Sequence, residues 1–327
     1  MKEKRTRKGF LMLLMLASTA VLISTATYAW FTANRTVTVS PIQVNIEAQG
    51  GIQISTDGST WRSIIHNEDI TGADAIYGAA VNQLPSILEP VSTGLNINAS
   101  GRMEMFYGLV ETNEFGDYIL TATQDEESHG TEGRFVAFDL FFRVDEAETL
   151  YLTANSTIET PDATDTGIKN AARIAFVDLG NTAIGSDLAA IQDLNEGTTA
   201  DVYLWEPNFN SHTAPAVSHA WDTYGISITP DHAEPIPYSG VIADIADTDD
   251  VEVGDATETD YEAFFADVTP DYATVEDFDT AVEMFELPEG ISKIRFYMWV
   301  EGQDVDCENQ ASGGNVTFNV QITIDEP

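Results

Sequence analysis

Val316-Thr317-Phe318-Asn319-Val320-Gln321-Ile322-Thr323-Ile324, in one-letter form VTFNVQITI, decides the fold class. Apolar residues hold every even position and polar ones every odd position between them. Successive strand side chains point to opposite faces, so the pattern specifies a strand with one face in a core and the other in water. Alternation this regular belongs to antiparallel sheets with one buried face.

The same period recurs outward from this stretch. Ile294, Phe296, Met298 and Val300 define a second strand. Phe138, Leu140, Phe142 and Val144 alternate with Asp139, Phe141 and Arg143, and Leu150, Leu152 and Ala154 follow an acidic turn. Near the N-terminus Ile42, Val44 and Ile46 alternate, but Val37 and Val39 fall on the opposite parity, and the shift occurs at Ser40-Pro41. A one-residue slip exchanges strand faces and proline cannot continue a central strand, so residues 32–39 and 42–48 read as two strands. Gln49-Gly50-Gly51 reads as a hairpin turn into residues 52–56, and Asp57-Gly58 as the next turn. Residues 181–289 hold seven prolines and two stretches read as short helices, 187–194 and 255–266, and form the expected insertion.

Charge narrows the function. The 327 residues carry 54 acids against 14 Lys and Arg, a formal net charge of −40. Such a surface repels phosphate backbones and argues against nucleic-acid partners. Clustered carboxylates offer oxygens to Ca²⁺, but Asp247-Thr248-Asp249-Asp250 and Asp304-Val305-Asp306 lack the glycine and distal glutamate of a calcium loop. No metal site is assigned; weak surface binding of Ca²⁺ is the most that follows.

Five of the bases, Lys2, Lys4, Arg5, Arg7 and Lys8, precede an apolar run over residues 10–23, followed by small residues through Ala29. This is the order of an export signal, with cleavage between Ala29 and Trp30; the competing reading is a retained membrane helix, since the run lengthens when counted through Phe31. Thr27-Tyr28-Ala29-Trp30-Phe31-Thr32 resembles the junction of exported proteins processed by the SipW type of signal peptidase, the group of TasA and camelysin in Gram-positive bacteria. The resemblance covers about the first 45 residues. It implies secretion to the cell surface or biofilm matrix, a signal peptidase as partner during export, and a freed N-terminal strand that completes a neighbouring subunit's sheet.

With that resemblance the expected fold is all-β, an antiparallel jelly-roll-like β-sandwich over residues 42–327 with an irregular, acidic, partly helical insertion at 181–289. Residues 30–41 form the donated strand, with Thr36, Val37, Thr38 and Val39 setting its register, and head-to-tail addition to other copies of the same chain gives fibres. The function expected is a structural protein, not an enzyme and without a cofactor. Its rivals are a carbohydrate- or surface-binding module that engages cell-surface or matrix components, and a membrane-tethered ectodomain.

The residues supply few chemical candidates. His-Glu-x-x-His, a Gly-x-Ser-x-Gly elbow and a Walker loop are absent from the sequence. His212, His219 and His232 lie in a proline-containing segment without the spacing of a zinc site. Cys307 is the single cysteine, either a partly buried thiol or the partner of an intermolecular bridge, and Asp306 and Glu308 beside it disfavour a thiolate. Tyr297 and Trp299 share the face opposite Met298 and Val300 and form the candidate aromatic binding face for a sugar, unless the insertion covers them.

Overall fold

The C-terminal alternation is a strand in the structure, Val316–Thr323. Val316, Phe318, Val320 and Ile322 are buried, while Thr317, Asn319 and Gln321 are half-buried on the other face. The structure is a computed structural model that describes residues 42–127, 130–160, 166–231, 234–271, 281–307 and 315–324. Ala29, Trp30, Thr36, Val37, Thr38 and Val39 lie outside these residues.

In chain order the elements are β1 (Ile42–Ala48), β2 (Gln53–Ser55), β3 (Ile64–His66), α1 (Asn67–Ile70), β4 (Asn82–Gln83), β5 (Phe106–Thr112) and β6 (Tyr118–Gln124). There follow β7 (Val136–Val144), β8 (Glu148–Leu152), β9 (Thr157–Glu159), β10 (Ala172–Thr182), α2 (Leu188–Gln192) and β11 (Val202–Trp205). The remainder is α3 (Ala214–Tyr224), β12 (Tyr238–Val241), β13 (Phe265–Val268), β14 (Val282–Leu287), β15 (Gly290–Val300) and β16 (Val316–Thr323). The chain is thus all-β in character, with short helices between strands.

Two sheets enclose the main core. The front sheet runs β14-β8-β16-β1-β3, with β9 also on β16, and the back sheet runs β11-β10-β15-β7-β2, with β4 also on β7. Val44, Ile46, Phe318 and Val320 from the front meet Phe138, Leu140, Phe176, Phe296 and Met298 from the back in one cluster. Phe296 is stacked on Phe138, 5.2 Å between centroids, and edge-on to Phe176 at 5.0 Å. Along one open side of the two layers Tyr203 of β11 stacks on Phe285 of β14 at 5.0 Å.

Two expectations are corrected here. The pairing is not wholly antiparallel: β1 lies parallel to β16 in the register Ile42↔Val316 to Ala48↔Ile322. The parity of both strands matches, so their apolar residues reach the core together, and Asn45 donates to Asn319 across the wet face at 2.9 Å. Gln49-Gly50-Gly51 is also not a hairpin, because β1 and β2 belong to opposite sheets. It is a corner, and Gly50 at φ +71° runs so close to β16 that a Cβ there would stand 2.8 Å from Ile324.

The insertion reading is corrected as well. Within 181–289, β11 and β14 are edge strands of the two main sheets. Helix α2 matches the first predicted helix, but residues 255–266 form turns that lead into β13. The longest described helix is α3, capped by Thr213, whose hydroxyl accepts from Ala216 N, started by Pro215 and ended by Gly225 at φ +65°. Those three residues are the sequence signature of a helix and its two ends. No helix among the described residues is long and apolar enough to cross a membrane.

A third layer covers the back sheet. All eleven residues of β15 are buried, and eight of the nine in β7. Val81, Val91, Met103, Met105, Tyr238 and Val268 pack on the face opposite the main core. The polar residues of that face are fastened to the layer above it. Asp139 accepts from Arg295 Nε at 2.6 Å and Tyr77 Oη at 2.8 Å, and Lys293 Nζ lies 3.3 Å from it. Arg295 in turn donates to Gly101 O and Lys293 to Gln192 O, at 2.8 and 2.7 Å. Every buried charge in this group therefore has a partner, the condition under which burial is tolerated.

Candidate functional site

The polar residues that follow β15 carry the densest buried chemistry. Glu301 is fully buried, its carboxylate accepting from Trp299 Nε1 and from Gln303 N, both at 2.9 Å. Asp304 accepts from Asp306 N at 2.7 Å, and the chain returns through Cys307 N to Asp304 O. The short arc thus turns three carboxylates inward, where β10 supplies Arg173.

Arg173 is fully buried on β10, opposite Trp299 of β15. Its Nη2 binds Glu206 Oε1 at 2.7 Å and also Asp304 Oδ2, and Nη1 donates to Asn170 O at 2.7 Å. Glu206 directly follows β11, so the neighbouring strands β10 and β11 bring the pair together. Asp306 reaches the other way, to His212 Nδ1 at 2.7 Å and to Thr213 N at 2.9 Å, at the start of α3. His219, one turn further along α3 from its start, has Nδ1 3.3 Å from Val305 O.

Electrostatics follow from the crowding. Burial pushes Glu206 up to about 8; Arg173 opposes the rise, and Asp304, Asp306 and Glu301 add to it. Burial likewise pushes Glu301 up to about 7, against hydrogen bonds from Ser92, Trp299 and Gln303. Asp306 is raised by burial and by Asp304, with the His212 bond opposing. Arg173, despite its burial, is held above the ordinary arginine range by Glu206 and Asp304. The arrangement can store protons, and its carboxylates are enclosed by the fold. Among the described residues no group of three or more His, Cys, Asp or Glu has the arrangement of a metal site.

The structure brings Cys307, Asp304, Asp306, His212 and His219 to one locality that no motif in the sequence marks. Cys307 is buried, so it does not stand at a surface where a second chain's thiol could reach it. The aromatic face is a correction. Tyr297 and Trp299 are both 0% exposed, under the third layer, with Tyr297 Oη accepting from Met103 N at 2.9 Å and bonded to Glu127. They form no platform for a sugar. His232 lies outside the described residues.

Sheet edges are closed by side chains. Beyond the end of β3, Asn67 stands in for a strand beside β1, accepting from Val44 N at 2.8 Å and donating to Ile42 O at 2.9 Å. Asn208 donates to Ile158 O of β9 at 3.0 Å. Asp271 does the same for β11, pairing with both main-chain groups of Leu204. Side-chain amides and carboxylates in these places occupy ladder groups that would otherwise invite another strand.

No family model matches the chain, and neither a curated protein nor a solved structure matches it.

Proposed function

We propose that the protein is a secreted structural subunit of the bacterial cell surface or biofilm matrix, a jelly-roll-like sandwich that joins to copies of itself by N-terminal strand addition. The observation that carries this reading is the position of β1. It begins at Ile42, directly after Pro41, and both its edges are occupied, by β16 along its whole length and by β3 with Asn67 on the other side. Both sides of β1 are thus filled by the described residues, and the proposed strand over residues 32–39 is not required beside it. Main-chain hydrogen bonds would supply the affinity of such addition, and Val37 and Val39 its register. The filled ladder groups of Leu204 on β11 keep non-specific pairing low at that edge. The buried ion groups support a structural role, since each joins elements of the fold.

Negative-stain electron microscopy of a form spanning residues 30–327 beside one spanning 42–327, with and without calcium, tests it. Filaments from the longer form alone are expected. Monodisperse particles from both would overturn self-assembly and favour a monomeric surface module or a tethered ectodomain.

A further inference from the structure

The cluster around Arg173 holds more acid than base. Glu206, Glu301, Asp304 and Asp306 are all buried, at 3, 0, 7 and 1% exposure, and face one arginine and one histidine. Arg173 Nη2 is already shared between Glu206 and Asp304, and His212 is taken by Asp306. Glu206 Oε2 is buried with no hydrogen-bond partner, and Glu301 accepts from neutral donors, Trp299 Nε1, Gln303 N and the Ser92 side chain. The nearest other basic cluster, Lys293 and Arg295, is engaged by Asp139. Four buried carboxylates cannot all stay ionised beside one guanidinium in a low-dielectric interior.

The cluster lies where α3 meets the arc that follows β15. Helix α3 packs through a small separate group, Ala216, Ala220, Ile228 and Ile236 against Val305, not through the main core. The start of α3 and its first turns are tied to the arc at 301–307 through His212, Thr213 and His219.

We infer that this cluster is a proton-loaded latch, which holds α3 and the 301–307 arc against the sandwich while Glu206 and Glu301 carry protons and loosens them when both ionise. With those two neutral, Asp304 faces Arg173 and Asp306 faces His212, one partner each. Ionisation adds two buried negative charges beside Arg173, whose Nη2 is already shared between Glu206 and Asp304. The groups facing the pair are Arg173 on β10, Tyr238 on β12, and Asp304 and Asp306 in the arc itself, with His212 one step away on Asp306. Tyr238, with its hydroxyl donated to Thr93 O, and Ser92 border Glu301. Both glutamates bind protons more tightly in the folded chain than in the unfolded one. The stabilisation is therefore complete below the ordinary glutamate pKa and is lost as pH rises through about 7 for Glu301 and about 8 for Glu206. The latch is independent of strand addition.

Hydrogen exchange of the protein recovered from its producing cells, corrected for intrinsic rate and followed from acidic to alkaline pH, reads the latch directly. Protection in 214–224 and 301–307 is expected to fall about tenfold or more across the neutral range while β1 and β16 stay constant. The isosteric pair Glu206→Gln and Glu301→Gln, which cannot ionise, is expected to keep its protection throughout. Constant protection in the wild type, or an equal loss in the double variant, overturns the inference. If the double variant does not fold, carbon-13 titration of the wild-type carboxyls decides: two glutamates titrating near neutrality support the latch, and all glutamates in the ordinary range overturn it.

Discussion

Asp271 and Leu204 exchange two hydrogen bonds across the outer edge of β11: Leu204 N donates to Asp271 Oδ2 at 2.8 Å, and Asp271 N donates to Leu204 O at 2.9 Å. One residue thereby does the work of a neighbouring strand. Its side chain takes the donor and its main chain fills the acceptor.

Removing that side chain exposes the edge. Asp271→Ala is expected to cost about 1–3 kcal/mol, the range for a hydrogen bond to a charged group or a buried donor left unpaired. Asp271→Asn, which keeps an oxygen acceptor, should lose less. Urea unfolding gives the energies, and light scattering should show concentration-dependent association of the alanine variant first, as an uncapped edge invites pairing.

Phe296→Ala empties the centre of the core. Phe296 contacts the rings of Phe138, Phe142 and Phe176 from three sides. A loss of about 3–5 kcal/mol is expected, with Phe296→Leu costing less because it leaves a smaller cavity. The same unfolding experiment checks both.

Asp139 neutralises two buried cations at once, Arg295 and Lys293. Arg295 and Lys293 hold its carboxyl below the ordinary range in spite of its burial. Asp139→Ala leaves both uncompensated and is expected to destabilise by about 3–5 kcal/mol. Tyr77→Phe removes one hydrogen bond to the carboxylate and leaves both cations paired, and should cost less, about 1.5–3 kcal/mol. Exchange of the 75–105 segment over the back sheet should accelerate in the first variant.

Asp57 predicts the acid limb. Burial raises its carboxyl, but hydrogen bonds from Thr60 N and Ser59 N, with the Ser55 and Thr60 hydroxyls, outweigh that and hold it at about 2. A depressed folded pKa gives stability that is present above the ordinary aspartate value and is lost as pH falls through about 2. A wild-type minus Asp57→Asn stability difference that shrinks over this window checks the prediction; a difference independent of pH would refute it.

Charge, the all-β class and the main strands were legible in the sequence, and the reason is local. A strand's period shows in its own residues, so β1, β7, β15 and β16 could be read without their partners. Where a sheet face meets water, as on β16, polar and apolar residues also assign the faces correctly. The ends of α3 were marked too, by Thr213, Pro215 and Gly225, although proline in that segment reads equally as loop.

The tertiary structure alone decided what covers each face and which distant groups meet. The meeting of Asp139 with Lys293 and Arg295 was not legible, and Tyr297 with Trp299 read as a candidate aromatic face unless covered, because alternation cannot reveal a third layer. Once buried, the charges had to find partners, and the aromatic rings became packing. Arg173, Glu206, His212 and Asp306 likewise come from four separate stretches of chain. Their convergence depends on β10 lying between β11 and β15, a contact that no local period encodes.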